Sequence, residues 1–330
     1  MIEFLKDCRK KTIDIEKRKL LISNFHGSDQ EKDFTEPANC SGYGRIRHFK
    51  LDTSVGWPQN PLPIVPACQA LNLPVDSVIR TQLFQISICN WNCWYCYVPK
   101  NLRSADKNNS DWLSVSELVD LYLKENNRPS IIVLSGGQPD LVPEWIPWMM
   151  SELKSRSMEK MTYLWSDDNL SSDFFYHYLS NKQLDLIKSY KNYGKVGCLK
   201  GFDKQSFQFN TNMDSSYYDK QFTLIKKHIN LGIDFYAYIT LTTPSKRNIR
   251  TKIEKFINKL QKINTYLPLR TVPLEIKPFT PTNQKLNRKQ ELSMKYQNIA
   301  IKWWNKELNN IFSTEELKRP ISNVKLCSSE

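Results

Sequence analysis

The chain has 330 residues, 40% of them hydrophobic and 25% charged, enough apolar material to bury a core and to exclude wholesale disorder. No apolar run approaches the ~18 residues that a membrane helix needs, and Met1 to Lys11 mixes acids with bases, so neither a span nor a secretory signal is expected. A cytoplasmic chain is the expectation, and its eight cysteines then read as metal ligands or free thiols rather than disulfides.

In chain order, helical character is expected from Ile2 to Ile22. A polar stretch follows, and then a segment studded with Pro58, Pro61, Pro63 and Pro66, which favours extended or turn conformations. Residues 1–80 read as an irregular N-terminal extension packed on the main domain, with Trp57, Ile64, Val65 and Leu71 to bury. A strand–helix alternation starts near residue 81. Leu83–Ile88 is a first strand, and Ser114 with Glu117 forms a capping box that opens a helix. Ser130–Leu134 is a second strand, followed by a helix through Trp145, Trp148 and Met149. Met161–Trp165 and Val196–Leu199 are a third and a fourth. A helix with Tyr218, Phe222, Ile225 and Ile229 on one face ends at Gly232. Phe235–Leu241 is a fifth strand, Ile253 to Leu260 marks a helix, and Leu274–Phe279 is a sixth strand. Leu292, Tyr296, Ile299 and Trp303 mark a terminal amphipathic helix. This alternation predicts an α/β fold of parallel βα units, closing as a full or partial TIM-like barrel. The expected division is 1–80 as the extension, 81–282 as the barrel and 283–330 as a basic helical segment.

The sharpest motif is Cys89-Asn90-Trp91-Asn92-Cys93-Trp94-Tyr95-Cys96, directly after the first strand. Three thiolates spaced CxxxCxxC on one tight loop can hold three corners of a [4Fe–4S] cluster and leave the fourth iron open to a ligand. A zinc site would need a further Cys or His, and no second paired knuckle is present. Leu134-Ser135-Gly136-Gly137-Gln138-Pro139 ends the second strand, where two glycines let the backbone approach a ligand.

The CxxxCxxC loop, with an aromatic before its last cysteine, resembles the signature of the radical S-adenosylmethionine (radical SAM) superfamily. The resemblance implies a partial (βα)6 barrel over roughly residues 81–282, with Cys89, Cys93 and Cys96 as cluster ligands. It implies S-adenosylmethionine bound to the open iron and cleaved by one electron to a 5′-deoxyadenosyl radical that abstracts hydrogen from a substrate. Tyr95 matches the position that packs near the adenine. Gly136, Gly137 and Gln138 are similar to the family's GGEP motif on the methionine amino group, with Gln where Glu is usual. Ser166-Asp167-Asp168-Asn169 resembles a segment of glycyl-radical-enzyme activases, which points to Ser166, Asp168 and Asn169 as ribose contacts; Asn169 or Ser171 could instead cap the next helix. Cys198-Leu199-Lys200 resembles another strand of those activases, which points to Lys200 as a carboxylate contact. An electron donor such as flavodoxin or ferredoxin is implied as a partner.

The substrate is not legible. A protein or other macromolecule is one reading. An RNA-modifying, methylthiotransferase-like enzyme with a second cluster on Cys8, Cys40 and Cys68 is another, and a non-catalytic electron carrier a third, disfavoured because a carrier gains nothing from an open iron. A cysteine-rich tail bearing further clusters is not expected, because only Cys198 and Cys327 follow Cys96. The net charge is +13, and Thr243–Glu330 holds 18 basic and 7 acidic residues. Solvated lysines on helix faces explain this more simply than a nucleic-acid footprint. Thr240, Thr242, Thr243, Glu275 and Lys277 are candidate substrate contacts by position. Cys198 reads as a small buried hydrophobe and His228 as a solvated helix residue.

Overall fold

The computed structural model describes residues 2–283 and 286–326; Cys327 lies outside them. Ten strands are described: β1 (Ile13–Asp14), β2 (Lys19–Ser23), β3 (Gly44–Lys50), β4 (Val78–Gln85), β5 (Ser110–Ser114), β6 (Ile131–Ser135), β7 (Tyr163–Asp168), β8 (Tyr193–Leu199), β9 (Phe235–Thr240) and β10 (Thr271–Leu274). Seven form one sheet in the order β10-β9-β8-β7-β6-β4-β3. All its neighbours run parallel except β3, an antiparallel edge on β4. This is the expected partial barrel of six parallel strands, with one strand added by the N-terminal region. A separate sheet, β1-β2-β5, was not anticipated.

Side-chain alternation along the strands sorts two layers. Leu83, Ile131, Val133, Tyr163, Trp165, Val196, Tyr236, Tyr238 and Val272 point inward and pack as one cluster. Phe84, Ile132, Leu134 and Leu164 point outward against helices Val115–Lys124 and Trp145–Ser155. Leu199, Ala237 and Ile239 point outward against Tyr217–Leu231, Ile249–Gln261 and Arg288–Ile311. The capping box at Ser114 and Glu117 forms, and Gly232 closes its helix at φ 83°.

Several expectations need correction. Helix Ile2–Lys10 is short, and the chain then turns into β1 and β2 instead of staying helical to Ile22. Pro66 sits in a helix, Ile64–Leu71, near its start, where a missing N–H is tolerated. The sixth strand is Thr271–Leu274, so Glu275 and Lys277 follow it rather than belonging to it. The first strand ends at Gln85, and Ile86 and Ile88 instead make isolated bridges to Ile22 and Ser104. The third begins two residues late and reaches Asp168, and the fourth begins early at Tyr193.

Trp165 is fully buried in the barrel interior, 5.5 Å from the Tyr236 ring and 6.4 Å from that of Tyr163. Trp165→Ala should therefore cost about 3–5 kcal/mol in urea unfolding, whereas Met161→Ala, at an exposed position just before the strand, should stay within about 0.5 kcal/mol.

Candidate functional site

One cavity opens at the carboxy ends of the parallel strands. Its lining includes ten of the eleven residues that the motifs mark as ligand or cofactor contacts: Cys89, Cys93, Cys96, Tyr95, Gly136, Gly137, Gln138, Asp168, Asn169 and Lys200. Ser166 is not among them. It points outward from β7, and its hydroxyl meets that of Tyr193 at 2.7 Å.

The cysteine loop is held from several sides. Arg103 donates to the carbonyls of Val98 (3.0 Å) and Trp91 (3.2 Å) and to Asn92 Oδ1 (2.8 Å), so one guanidinium gathers the loop. Trp91 anchors it in the outer layer, edge-on to Phe207 at 5.3 Å. Tyr95 is buried, with its hydroxyl on Thr240 Oγ1 at 3.1 Å. The three thiols are free and half-buried. Burial pushes the Cys89 thiol up and the Cys93 thiol to about 12.

The glycine turn lies directly against this loop. Gly136 and Gly137 have φ of +63° and +34°. A Cβ on Gly137 would come within 2.0 Å of the Ile88 carbonyl oxygen and 2.5 Å of that of Ile86. The Gln138 N–H donates to the Ile88 carbonyl at 2.6 Å. The Gln138 side chain is buried. Its Nε2 donates to Asp168 Oδ1 at 2.6 Å, and its Oε1 accepts the Asn169 N–H at 2.8 Å. Asn169 in turn reaches back to Asn90 Oδ1 (3.2 Å) and Cys89 Sγ (3.8 Å). Neither Asn169 nor Ser171 caps the following helix, whose N-cap position is Asp173.

Behind the turn lies a buried charge network that sequence reasoning missed. Lys195, fully buried, donates to Asp140 Oδ1 at 2.6 Å. Asp168 Oδ2 faces His228 Nε2 at 3.3 Å, and the Tyr176 hydroxyl meets His228 Nδ1 at 2.9 Å. His228 is buried, not solvated, because its helix turns that face to β7 and β9. Asp140, Asp168 and His228 are the one trio of candidate metal ligands, among the described residues, whose donor atoms lie within 4.8 Å of one another. The Lys195 ammonium already supplies a positive charge to this trio. One ammonium neutralises one carboxylate, so burial and the neighbouring Asp168 push the Asp140 carboxyl up to about 8. Burial opposes the Asp168 charge, but Lys195 and His228 prevail and hold its carboxyl below the usual range. Asp140 Oδ2 is buried without a hydrogen-bond partner.

The other candidates separate. Glu275 and Lys277 line the cavity, while Thr240, Thr242 and Thr243 do not. Thr242 instead donates to Asn210 Oδ1 at 2.7 Å. Cys198 is half-buried; it packs against the inward cluster, as expected of a small hydrophobe, and also lines the cavity. Cys8 and Cys40 are buried in one core cluster and Cys68 in another, so the structure does not bring these three together as a ligand set. The basic residues Lys246, Arg247 and Arg250 are exposed. Arg47, Arg103, Asp167 and Tyr238 are cavity residues that the motifs did not mark.

Residues 85–242 match the family model of the Radical SAM superfamily. These residues, just under half of the chain, form a radical SAM domain. No curated protein sequence matches it. Solved structures similar to this chain include Streptococcus suis SuiB bound to S-adenosylmethionine, at 13% identity and a TM-score of 0.44, covering 69% of this chain and 47% of that one. SuiB bound to the precursor peptide SuiA aligns at 11% identity and a TM-score of 0.38, covering 58% of this chain and 48% of that one. The chain thus spans about half the length of SuiB. Among the described residues no helix is long and apolar enough to cross a membrane.

The raised Asp140 carboxyl makes a prediction about stability. An acid with a raised folded pKa binds more protons folded than unfolded, so its contribution falls as pH rises from about 3.9 through 8. Thermal denaturation should show this contribution to the melting temperature dropping between about pH 5 and pH 8 and levelling off above. Asp140→Asn, which keeps a donor and an acceptor without titrating, should flatten that drop; an unchanged drop would refute the assignment.

Proposed function

We propose that the chain uses a [4Fe–4S] cluster, held by Cys89, Cys93 and Cys96, and S-adenosylmethionine to abstract hydrogen from a substrate in the strand-end cavity. The observation that carries this reading is the convergence of the three thiols, the Gly136–Gly137 turn, Tyr95, Asn169 and Lys200 on one lining. The donor set fits the group. Three soft thiols on one loop suit iron–sulfur ligation.

When bound, the cluster supplies the electron and the cofactor the 5′-deoxyadenosyl radical. The chain's own residues do the rest. Arg103 and Trp91 fix the thiol loop, and the Gly136–Gly137 turn gives a ligand access to backbone. Tyr95 offers an apolar face beside it, and Lys200 a cation for a carboxylate. Ser166 has no part in this reading, because it points away from the cavity. The inward walls exclude water around the reacting centre.

Residues 81–282 would form the catalytic unit, with 1–80 as an extension and 283–330 as a helical segment. The extension packs closely on the unit, adding β3 to the sheet and Arg47 to the cavity. The substrate we favour is a protein or other macromolecule reaching the open strand ends. The reductant would be a small electron carrier such as flavodoxin or ferredoxin, in the cytoplasm.

Anaerobic reconstitution with iron and sulfide should load about four irons per chain. Cys93→Ala should lose most of that iron; full loading in this variant would remove Cys93 from the ligand set. With strong reductant the loaded protein should release 5′-deoxyadenosine from S-adenosylmethionine slowly, even without substrate. None released would leave the electron-carrier reading in its place.

A further inference from the structure

The function proposed above leaves the substrate class open, and an assignment of that class rests on that reading of the cavity. Most charged groups of the lining are already engaged. Arg103 gathers the thiol loop, Lys277 pairs with Glu275 at 3.1 Å, and Asp168 faces Gln138 and His228. Lys200 is the cation offered to the cofactor's carboxylate. Arg47 remains.

Arg47 comes from β3, the edge strand supplied by the N-terminal region, outside the residues that match the family model. Arg45, Arg47 and Phe49 alternate onto one face of that strand. Arg45 stands opposite Leu83 in the antiparallel register, and Leu83 and Phe49 both belong to the inward cluster, so both guanidiniums face the barrel interior. Neither pairs with a carboxylate among the described residues. They lie against rings instead. Arg45 Cζ is 4.8 Å from the centre of the Phe34 ring and 5.4 Å from that of Tyr97, and Arg47 Cζ is 4.1 Å from that of Phe49 and 5.8 Å from that of Tyr97. Arg45 is only 9% exposed, and its Nε is buried without a hydrogen-bond partner. Two like charges that share one tyrosine ring, one of them with an orphaned donor, make a site short of an anion.

Asp167 is the acid whose charge both arginines feel. Set against the two guanidiniums, it leaves one positive charge uncompensated. A carboxylate brings one negative charge and two oxygens that match the planar guanidinium fork, whereas a phosphate ester brings about two charges. Tyr97, Tyr238 and Phe279 stand on the same lining, with the Tyr97 and Phe279 rings 6.0 Å apart, and offer an apolar wall to the rest of the ligand. We propose that Arg47, with Arg45 behind it, receives a carboxylate of the substrate, which makes the substrate an acid with an apolar body. Burial pushes the Arg45 guanidinium down to about 10, while Tyr97 favours its charge and Arg47 repels it, a shift that a bound anion would oppose.

The test measures binding, not turnover. Isothermal titration calorimetry of the anaerobically reconstituted protein, saturated with S-adenosylmethionine and without reductant, compares phenylacetate with its neutral analogue phenylacetamide and with phenyl phosphate. Phenylacetate should bind at least tenfold more tightly than phenylacetamide in wild type and less than threefold more tightly in Arg47→Gln, the mark of a direct pair in a thermodynamic cycle. If Arg47→Gln does not fold, Arg47→Lys, which keeps the charge but not the fork, should lose at least threefold in phenylacetate affinity, and no loss there overturns the proposal. An equal preference in wild type and Arg47→Gln overturns it, as does a preference that disappears in Lys200→Gln instead. Phenyl phosphate binding more tightly than phenylacetate would overturn the carboxylate assignment. An S-adenosylmethionine affinity that falls in Arg47→Gln as far as that for phenylacetate would place Arg47 on the cofactor and overturn it too. The same titrations on metal-free protein keep the two readings apart. Wild type that binds no S-adenosylmethionine yet keeps an Arg47-dependent preference defeats only the cofactor reading, whereas intact S-adenosylmethionine binding with no preference for phenylacetate, or no binding of it, defeats only the substrate assignment.

Discussion

The close approach of two backbones organises this molecule. The turn at Gly136 and Gly137 lies so near the carbonyls of Ile86 and Ile88 that no Cβ fits at Gly137. The Gln138 N–H then bonds the Ile88 carbonyl, one residue before Cys89. That contact ties the end of β6 to the root of the thiol loop. It also aims the Gln138 side chain at Asp168 and Asn169, and Asn169 returns to Cys89. Three consecutive strand ends are thereby locked to one another around the cavity.

Beneath that lock, charge is balanced rather than removed. Lys195, Asp140, Asp168 and His228 occupy a layer with almost no access to water, where an unpaired charge would be costly. Burial and Asp168 raise the Asp140 carboxyl, while Lys195 and His228 hold that of Asp168 down, so negative charge gathers on Asp168, which both Gln138 and His228 face. This polar floor lies behind the turn, while Arg47, Arg103, Asp167, Lys200, Glu275 and Lys277 stand at the cavity lining. The split follows strand alternation: Lys195 and Asp168 point to the helices, and Asp167 and Cys198 to the barrel.

That alternation also explains what the sequence could and could not disclose. The thiol loop, the glycine turn and the six parallel strands were legible because spacing and apolar runs are local signals. Ser166 and Asp168 were favoured over Asp167 because a run of four polar residues at a strand end does not declare which of them faces inward; a shift of one residue reverses the face. Extending the strict inward parity of Tyr163 and Trp165 would have marked Asp167. His228 beside two lysines looked solvated, since its partner Asp168 is sixty residues away and only the packing of the helix on the sheet brings them together. Lys195 was invisible for the same reason. The sixth strand was misplaced because Leu274 to Phe279 is as apolar as the true strand, and Glu275 and Lys277 lie in a segment that leaves the sheet to line the cavity.

The central claim is that three thiolates hold a cluster whose fourth iron is open to S-adenosylmethionine. Mössbauer spectroscopy of the iron-57 reconstituted protein, with and without S-adenosylmethionine, tests it most directly. The account predicts that about one iron in four changes its isomer shift when the cofactor is added while the other three do not. Four irons that remain equivalent and unmoved would contradict it.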